Sequence, residues 1–213
     1  MGEQQQSGDA AREQAAQATA DRHPVEQVDA QIVAAVAPIR DHGLVKAASA
    51  LSEIADQPPL VAISTGVTMI GLATRNPRLA RAGLRMLAAH GLATLVKTVV
   101  KNRVDRSRPR KMLDDGDYRM EPGDTDDSEL RSFPSGHTAG GVAVVRALNR
   151  EYPDAAASAG FAMAAVATAL VPKQAHYPSD IVAGAVIGWA AEAITDFAWE
   201  RLEPHLPNAF ATR

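Results

Sequence analysis

Three short stretches of the chain combine side chains that suit phosphoryl transfer: a pair of cations, a small polar loop, and a histidine with a carboxylate. They are Lys101 with Arg108, then Pro134-Ser135-Gly136-His137, then His176 with Asp180. A transferred phosphoryl group carries negative charge on three oxygens, so catalysis depends largely on positioning and on groups that stabilise this charge. The three stretches together therefore predict a phosphoryl-transfer site.

The first stretch, KNRVDRSRP, is expected to end a helix. Lys101 and Arg108 are seven residues apart, which is almost two helical turns, so both side chains would project from one helical face. Pro109 lacks an N–H group and disfavours the helical conformation in the residue before it. The pattern predicts that a helix starting near Arg81 stops before Pro109, with both cations at its end.

The second stretch precedes the small-residue run TAGGVAVVRAL, which is typical of a helix. Pro134 and Ser135 form the start signal of that helix. Backbone N–H groups at a helix N-terminus bind anions, and Gly136 allows a phosphate to approach them closely. The hydroxyl of Ser135 adds a donor, and His137 in the first turn can act as a general acid toward the leaving oxygen.

The third stretch contains a histidine just before a predicted helix, in which Pro178 suits the first turn. Asp180 follows His176 by four residues, so its carboxylate can reach back to one ring nitrogen, fix the tautomer and expose the other nitrogen as a nucleophile. A phosphohistidine intermediate needs neither a metal nor a thiol. The chain has no cysteine and no HExxH or Asp-rich metal motif, so we expect no cofactor and no bound metal.

These motifs resemble those of the type 2 phosphatidic acid phosphatase family, which shares its core with vanadium haloperoxidases and bacterial class A acid phosphatases. Lys101 to Arg108-Pro109 matches the family's Lys-x6-Arg-Pro motif, and residues 134–137 match its Pro-Ser-Gly-His motif. His176 and Asp180 match the end of its third motif. The resemblance covers roughly residues 60–198.

The resemblance implies a metal-independent phosphatase with an acid phosphatase/haloperoxidase-like helical core. His176 would be the nucleophile, Asp180 its orienting partner and His137 the general acid. The groups implied to bind the phosphoryl oxygens are Lys101, Arg108, Ser135 and Gly136. The implied substrate is a lipid phosphate or pyrophosphate of polyprenyl or phosphatidyl type.

The third motif departs from the family at its start, where Ala169 and Leu170 replace a Ser-Arg pair. The family arginine is a bidentate phosphate ligand, and leucine cannot replace its donors. Lys173 lies nearer to His176, and we hypothesise that it compensates in part as a point charge. A catalytically weak protein that binds a lipid headgroup is the alternative that this departure leaves open.

The composition predicts an all-α protein, because strand signals are scarce and the apolar content comes from Ala, Val, Leu and Ile. We expect a bundle of about five to six helices, and the net charge of −3 indicates no attraction to nucleic acid. Four divisions are predicted: a disordered or polar segment at 1–24, an amphipathic helical segment at 25–55, the phosphatase helical bundle at 56–203 and a tail at 204–213.

Long uncharged stretches favour a membrane location. Residues 58–74 and 155–172 carry no charge and approach the length of about 20 apolar residues that spans a bilayer. We expect a multi-pass protein of the cell membrane. The four arginines between residues 75 and 85 favour a cytoplasmic link, which puts all three motifs on the extracytoplasmic face.

The mean hydropathy of −0.14 is low for an integral membrane protein, so a second interpretation stays open. It is a soluble Ala-rich bundle with the same chemistry, either an acid phosphatase or a vanadate-dependent peroxidase. The sequence predicts a lipid phosphate and the membrane as partners. It does not predict an oligomeric state.

Overall fold

The structure is a computed structural model that describes residues 2–52 and 55–202, together with residues 205, 207 and 210. Of the predicted tail at 204–213, only those last three residues are described. Met1 and residues 53–54, which belong to the two predicted N-terminal segments, also lie outside the described residues.

The described residues form nine α-helices and one two-stranded antiparallel sheet, which confirms the all-α class. The helices outnumber the predicted five to six because residues 2–52 are largely helical and a short helix follows Arg108. The helices are α1 (Gly2–Ala18), α2 (Pro24–Val36), α3 (Gly43–Ser52), α4 (Gln57–Ala73), α5 (Pro77–Lys101), α6 (Pro109–Asp115), α7 (Gly136–Glu151), α8 (Pro153–Ala169) and α9 (Pro178–Leu202). The strands are β1 (Val104–Arg106) and β2 (Met120–Pro122).

The described chain divides into two compact units. The first contains residues 2–52, 98–135 and 166–183, and the second contains residues 55–97, 136–165 and the described residues from 184 onward. Helices α1, α2, α3 and α6 and both strands belong to the first unit, whereas α4 and α7 belong to the second.

In the first unit, α2 is amphipathic and buries one face. Pro24 occupies its first turn, and a capping box at its start joins His23 and Glu26. The buried face carries Ala30 and Val33, which pack in one core with Ala15 of α1, Met112 of α6, Tyr118 and Tyr177. Asp29 lies on the same buried face, so its carboxylate needs a partner inside the unit.

The path between Lys101 and Arg108 differs from the prediction of a single helix. Helix α5 ends at Lys101, and β1 then pairs with β2 so that Asp105 lies opposite Glu121. Arg108 is extended, with φ −68° and ψ 152°, and Pro109 opens α6. The prediction that both cations share one helical face is therefore wrong. A proline suits the first turn of a helix as well as it stops one, because its missing N–H has no helical partner there.

In the second unit, α4 packs on α7 around a core of small and medium side chains, among them Leu60, Met86, Ala89, Ala143 and Ala191. Gly188 of α9 permits a close backbone approach, since a Cβ there would overlap the carbonyl oxygen of Ala139. Acidic and basic side chains within this unit form ion pairs, which include Arg81 with Glu151, Arg85 with Asp196, and Arg146 and Arg150 with Glu192.

Helix α9 is long and apolar enough to cross a membrane. The most apolar part of α9 has a mean hydropathy of 1.5, and only 22% of this window is buried. Among the helices of residues 2–52 and 55–202, no other is both long and apolar enough, and α4 is a shorter apolar helix. Bulky side chains of α9, including Val186, Trp189 and Phe197, are more than half exposed. An apolar helix with so much exposed surface is typical of contact with lipid or with another protein.

Candidate functional site

His176 lies in the loop between α8 and α9, with 3% of its surface exposed. Its Nδ1 lies 2.8 Å from the carbonyl oxygen of Ser132. A carbonyl oxygen can only accept, so Nδ1 carries the proton and the lone pair belongs to Nε2. Burial lowers the pKa of His176, and the charges of Arg108 and Lys101 lower it further against the opposing effect of Asp180. The imidazole is therefore neutral at pH 7, in the tautomer that a nucleophilic Nε2 requires.

Asp180 lies in the first turn of α9 and is fully buried. Its Oδ2 accepts a hydrogen bond of 2.8 Å from the backbone N–H of Tyr177 and lies 3.7 Å from Nδ1 of His176. The carboxylate thus reaches back toward the ring as the spacing predicted, but 3.7 Å is longer than a well-formed hydrogen bond. Ser132 provides the shorter contact to Nδ1, so Asp180 acts mainly through its charge.

The other oxygen of Asp180, Oδ1, is bound by Arg106, which is not among the predicted site residues. Nη1 of Arg106 lies 2.6 Å from Oδ1 of Asp180, and Nη2 lies 2.8 Å from Oδ2 of Asp29. The guanidinium group packs 4.2 Å from the centre of the Tyr177 ring. Arg106 therefore links the carboxylate beside His176 to helix α2.

Lys101 and Arg108 both lie near His176, although they do not share a helix. Nζ of Lys101 donates to the carbonyl oxygen of Arg131 at 2.9 Å. Nε of Arg108 donates to the carbonyl oxygen of Ser128 at 2.8 Å, and its Nη1 donates to that of Ala175 at 3.3 Å. Lys101 is thus bound to the residue before Ser132, whose carbonyl contacts His176, and Arg108 is bound to Ala175, the residue before His176. These positions explain why both charges lower the pKa of His176.

Ser135 belongs to the first unit and is fully buried. Its backbone N–H donates to the carbonyl oxygen of Asp180 at 3.0 Å, so the predicted donor loop and the histidine–carboxylate stretch are in direct contact. Helix α7 begins at Gly136, as the small-residue run predicted. Within the second unit, a Cβ on Gly136 would lie 3.0 Å from Nζ of Lys97, so glycine lets this lysine approach the start of α7.

His137 follows in the first turn of α7 and belongs to the second unit. Its Nε2 lies 3.3 Å from Oδ1 of Asp56, a residue of the same unit that is about half exposed. The structure thus brings Lys101, Arg108, Ser135, His176 and Asp180 together within the first unit. The meeting of the His137 and His176 rings stays a prediction, because the two residues belong to different units.

Lys173 lies on the same cavity as Arg108. This cavity of the first unit has a volume of about 170 Å³ and is lined by Arg108, Arg110, Ser128, Glu129, Lys173, Gln174 and Ala175. Nζ of Lys173 donates to the hydroxyl of Ser52 at 3.3 Å. Leu170, which stands at the position of the family arginine, is fully buried. The partial compensation by Lys173 stays a prediction that its place beside Arg108 supports.

Three residues around this site were not predicted from the sequence: Asp29, Arg106 and Ser132. Lys97, which lies against Gly136 within the second unit, was not predicted either. Asp29 alone carried a usable signal, since an acidic residue among the apolar positions of an amphipathic helix indicates a buried partner. Ser132 acts through its backbone, which no side-chain pattern can reveal. Within residues 2–52 and 55–202, no group of three or more His, Asp or Glu side chains is placed to hold a metal ion.

The segment from α5 to α9 matches a known family. The family model described as the PAP2 superfamily matches residues 82–201, which is more than half of the 213 residues of the chain. No curated protein and no solved structure matches the chain.

Proposed function

The chain belongs to the PAP2 superfamily, and on that premise we propose that it is a metal-independent phosphatase that hydrolyses a lipid phosphate or pyrophosphate. Membership in this superfamily supports a phosphatase-like activity. The observation that carries the proposal is the state of His176. It is buried and neutral, its Nδ1–H is bonded to the Ser132 carbonyl, and the charges of Lys101 and Arg108 act on it.

In the first step, Nε2 of His176 attacks phosphorus in line with the leaving oxygen. The P–N bond forms as the P–O bond to the lipid breaks, and His137 gives its proton to the leaving oxygen. The imidazole becomes positively charged as a phosphohistidine. Its Nδ1–H keeps the Ser132 carbonyl as acceptor, and the charge of Asp180 stabilises the new cation.

In the second step, water attacks the phosphohistidine. His137 takes a proton from the water, the new P–O bond forms, and the P–N bond breaks with its electron pair returning to Nε2. Inorganic phosphate leaves and His176 is neutral again. With a pyrophosphate substrate the same steps apply, and the leaving group is a lipid monophosphate.

The phosphoryl oxygens are proposed to bind the side chains of Lys101 and Arg108 and the backbone N–H groups of Ser135 and Gly136. Cations and oriented N–H donors stabilise the charge that develops on the equatorial oxygens. An arginine that binds two oxygens at once is stronger than a lysine, so Lys173 replaces only part of the family arginine lost at Leu170.

The substrate is proposed to be a polyprenyl or phosphatidyl-type lipid, and the protein to be a multi-pass protein of the cell membrane. The exposed apolar side chains of α9 support contact with lipid. The arginines at 81, 85, 146 and 150 share acidic partners within the second unit, which agrees with one cytoplasmic end rich in arginine. The active site would then face the extracytoplasmic side.

Leu170 favours a second candidate, a protein that binds a lipid headgroup with little turnover. The fully buried leucine removes the donors that hold two phosphoryl oxygens in the family. Such a protein would bind a lipid phosphate and release no phosphate from it.

One assay separates the two candidates. The full chain in detergent is given a polyprenyl phosphate, a polyprenyl pyrophosphate, phosphatidate and a soluble aryl phosphate, and inorganic phosphate is measured. We expect release from at least one lipid by the wild type and none by His176→Ala. We also expect a ³²P label that is stable to base and labile to acid on the wild-type protein. Full turnover by His176→Ala would refute the mechanism, whereas binding without turnover by the wild type would favour the headgroup-binding candidate.

A further inference from the structure

A single arginine, Arg106, bridges two carboxylates in the interior of the first unit. The side chains of Arg106, Asp29 and Asp180 are 1%, 4% and 0% exposed. Removing one partner of a buried ion pair leaves an uncompensated charge, so each of these groups depends strongly on the others. Burial raises the pKa values of the adjoining Tyr118 and Tyr177, so both phenols remain neutral donors or acceptors.

The guanidinium group divides its donors between the two carboxylates. Nη1 donates to Oδ1 of Asp180 at 2.6 Å and to the hydroxyl of Ser179 at 2.8 Å. Nη2 donates to Oδ2 of Asp29 at 2.8 Å and to the hydroxyl of Tyr118 at 3.1 Å. Asp29 also accepts hydrogen bonds from the hydroxyl and the backbone N–H of Ser179. Helix α2 is thereby fastened to the first turn of α9.

This arrangement determines which oxygen of Asp180 faces His176. Arg106 holds Oδ1, while the backbone N–H of Tyr177 holds Oδ2 at 2.8 Å, and Oδ2 is the oxygen that lies 3.7 Å from Nδ1 of His176. With both oxygens held, the carboxylate cannot rotate toward another partner. A fixed charge stabilises a developing cation without reorganisation.

Asp29 limits how strongly Arg106 neutralises Asp180. A guanidinium shared between two carboxylates leaves the group of three with a net negative charge. That charge faces His176, which must become positive as a phosphohistidine, while Lys101 and Arg108 oppose it. The pair of acidic residues around one arginine therefore favours the charged intermediate.

We infer that Arg106 is a positioning residue for the catalytic pair: Asp29 of α2 holds its guanidinium, and Arg106 in turn holds the carboxylate of Asp180 toward His176. This inference rests on the proposed function and adds α2 to the parts of the chain that the reaction needs.

A double-mutant cycle tests the inference. We expect Arg106→Met to lower kcat by about tenfold, which does not exceed the loss expected from Asp180→Asn, with KM changed by less than about threefold, because the loss lies in the transition state. In an Asp180→Asn background the same substitution should lower kcat by less than about threefold, since Arg106 then has no carboxylate to hold. Equal losses in both backgrounds would mean that Arg106 supports the fold only, and would overturn the inference.

Matched variants separate positioning from general damage. Arg85→Met removes another buried arginine whose Nη1 lies 2.6 Å from a carboxylate, that of Asp196 in the second unit. We expect it to keep kcat within about threefold of the wild type while lowering the melting temperature. Arg106→Lys should retain more kcat than Arg106→Met. If Arg106→Met does not fold, the double-mutant cycle is repeated with Asp29→Asn or Arg106→Lys in its place, each combined with Asp180→Asn.

A readout that needs no substrate separates a failure of this inference from a failure of the proposed function. NMR of ¹³C-labelled histidine in detergent follows the pH at which the His176–Asp180 pair takes up a proton. Removing a positive charge in Arg106→Met should raise that pH by about one unit, and removing a negative charge in Asp29→Asn should lower it. No shift in either variant would overturn the inference, whereas opposite shifts without phosphate release would support it and reject the phosphatase.

Discussion

Nδ1 of His176 lies 2.8 Å from the carbonyl oxygen of Ser132 and 3.7 Å from the carboxylate of Asp180. The backbone therefore fixes the tautomer, and the acid contributes charge. In a Ser-His-Asp triad, by contrast, the carboxylate partner both fixes the tautomer of the histidine and stabilises its positive charge.

The first prediction concerns Asp180→Asn. Since Ser132 still holds Nδ1–H, we expect this variant to keep the correct tautomer and to lose about 10- to 100-fold in kcat, compared with complete loss in His176→Ala. Phosphate release and ³²P labelling of the protein measure both effects. An Asp180→Asn variant as inactive as His176→Ala would show that the Ser132 carbonyl cannot hold the ring by itself.

The second prediction concerns pH. Because burial lowers the pKa of His176, the folded chain takes up a proton on this ring only below the ordinary value near 6.5, while the unfolded chain takes it up near 6.5. The neutral form of the ring should predominate in the folded chain at pH 6.5, and the free energy of unfolding should fall as the pH drops further toward the pKa of the folded state.

An NMR titration of ¹³C-labelled histidine checks this prediction, with the His176 signal assigned by its loss in His176→Asn. The same substitution should remove the corresponding part of the pH dependence of unfolding. A midpoint for His176 above 6.5 would contradict the prediction.

The third prediction compares two lysines. Lys101→Ala should lower kcat/KM by about 100-fold or more, because this side chain is proposed to contact the phosphoryl group. Lys173→Ala should lower it by about tenfold, as expected of a point charge at the edge of the site. Lys111→Ala is the control, since Lys111 pairs with Asp115 on the surface, and it should leave kcat/KM unchanged. If Lys173→Ala matched this control, Lys173 would not compensate for the missing arginine.

The fourth prediction concerns packing in the second unit. Gly188→Ala places a Cβ against the carbonyl oxygen of Ala139 and should lower the free energy of unfolding by about 1–3 kcal/mol. Gly66→Ala in α4 is the matched control, because no atom apart from the adjacent residues and the backbone of the same helix lies within 4 Å of a Cβ at that position. There alanine should be neutral or stabilising by up to about 1 kcal/mol, through its better helix propensity. Thermal melts of both variants in detergent measure the difference, and equal melting temperatures would contradict the packing argument.

Local rules predicted the parts of the site that depend on neighbouring residues. Pro178 opens α9, and Gly136 opens α7 after Pro134 and Ser135, because proline, serine and glycine act within one helical turn. The all-α class followed from the composition, because strand signals are scarce along the chain. The path from Lys101 to Arg108 was not predicted. A proline can end one helix or begin the next, and the sequence around Pro109 does not distinguish these two roles.

Contacts between distant parts of the chain lay beyond the reach of such rules. Three contacts around the His176–Asp180 pair join residues that are far apart in the sequence. Ser132 and His176 are 44 residues apart, Arg106 and Asp180 are 74 apart, and Asp29 and Arg106 are 77 apart. Each of these contacts exists only once the first unit has packed. Arg106 stands among several arginines in the stretch KNRVDRSRPR, and the local sequence does not indicate which of them is buried.

The fastening of Asp29 to Arg106 has a consequence for any shortened form of this protein. The family match begins at residue 82, so a chain trimmed to the matched segment would keep both histidines and every motif while discarding α2. Such a fragment would retain Arg106 with half of its acidic neighbours gone. Weak turnover by such a fragment would then be attributed to Leu170, although its cause would be the loss of α2.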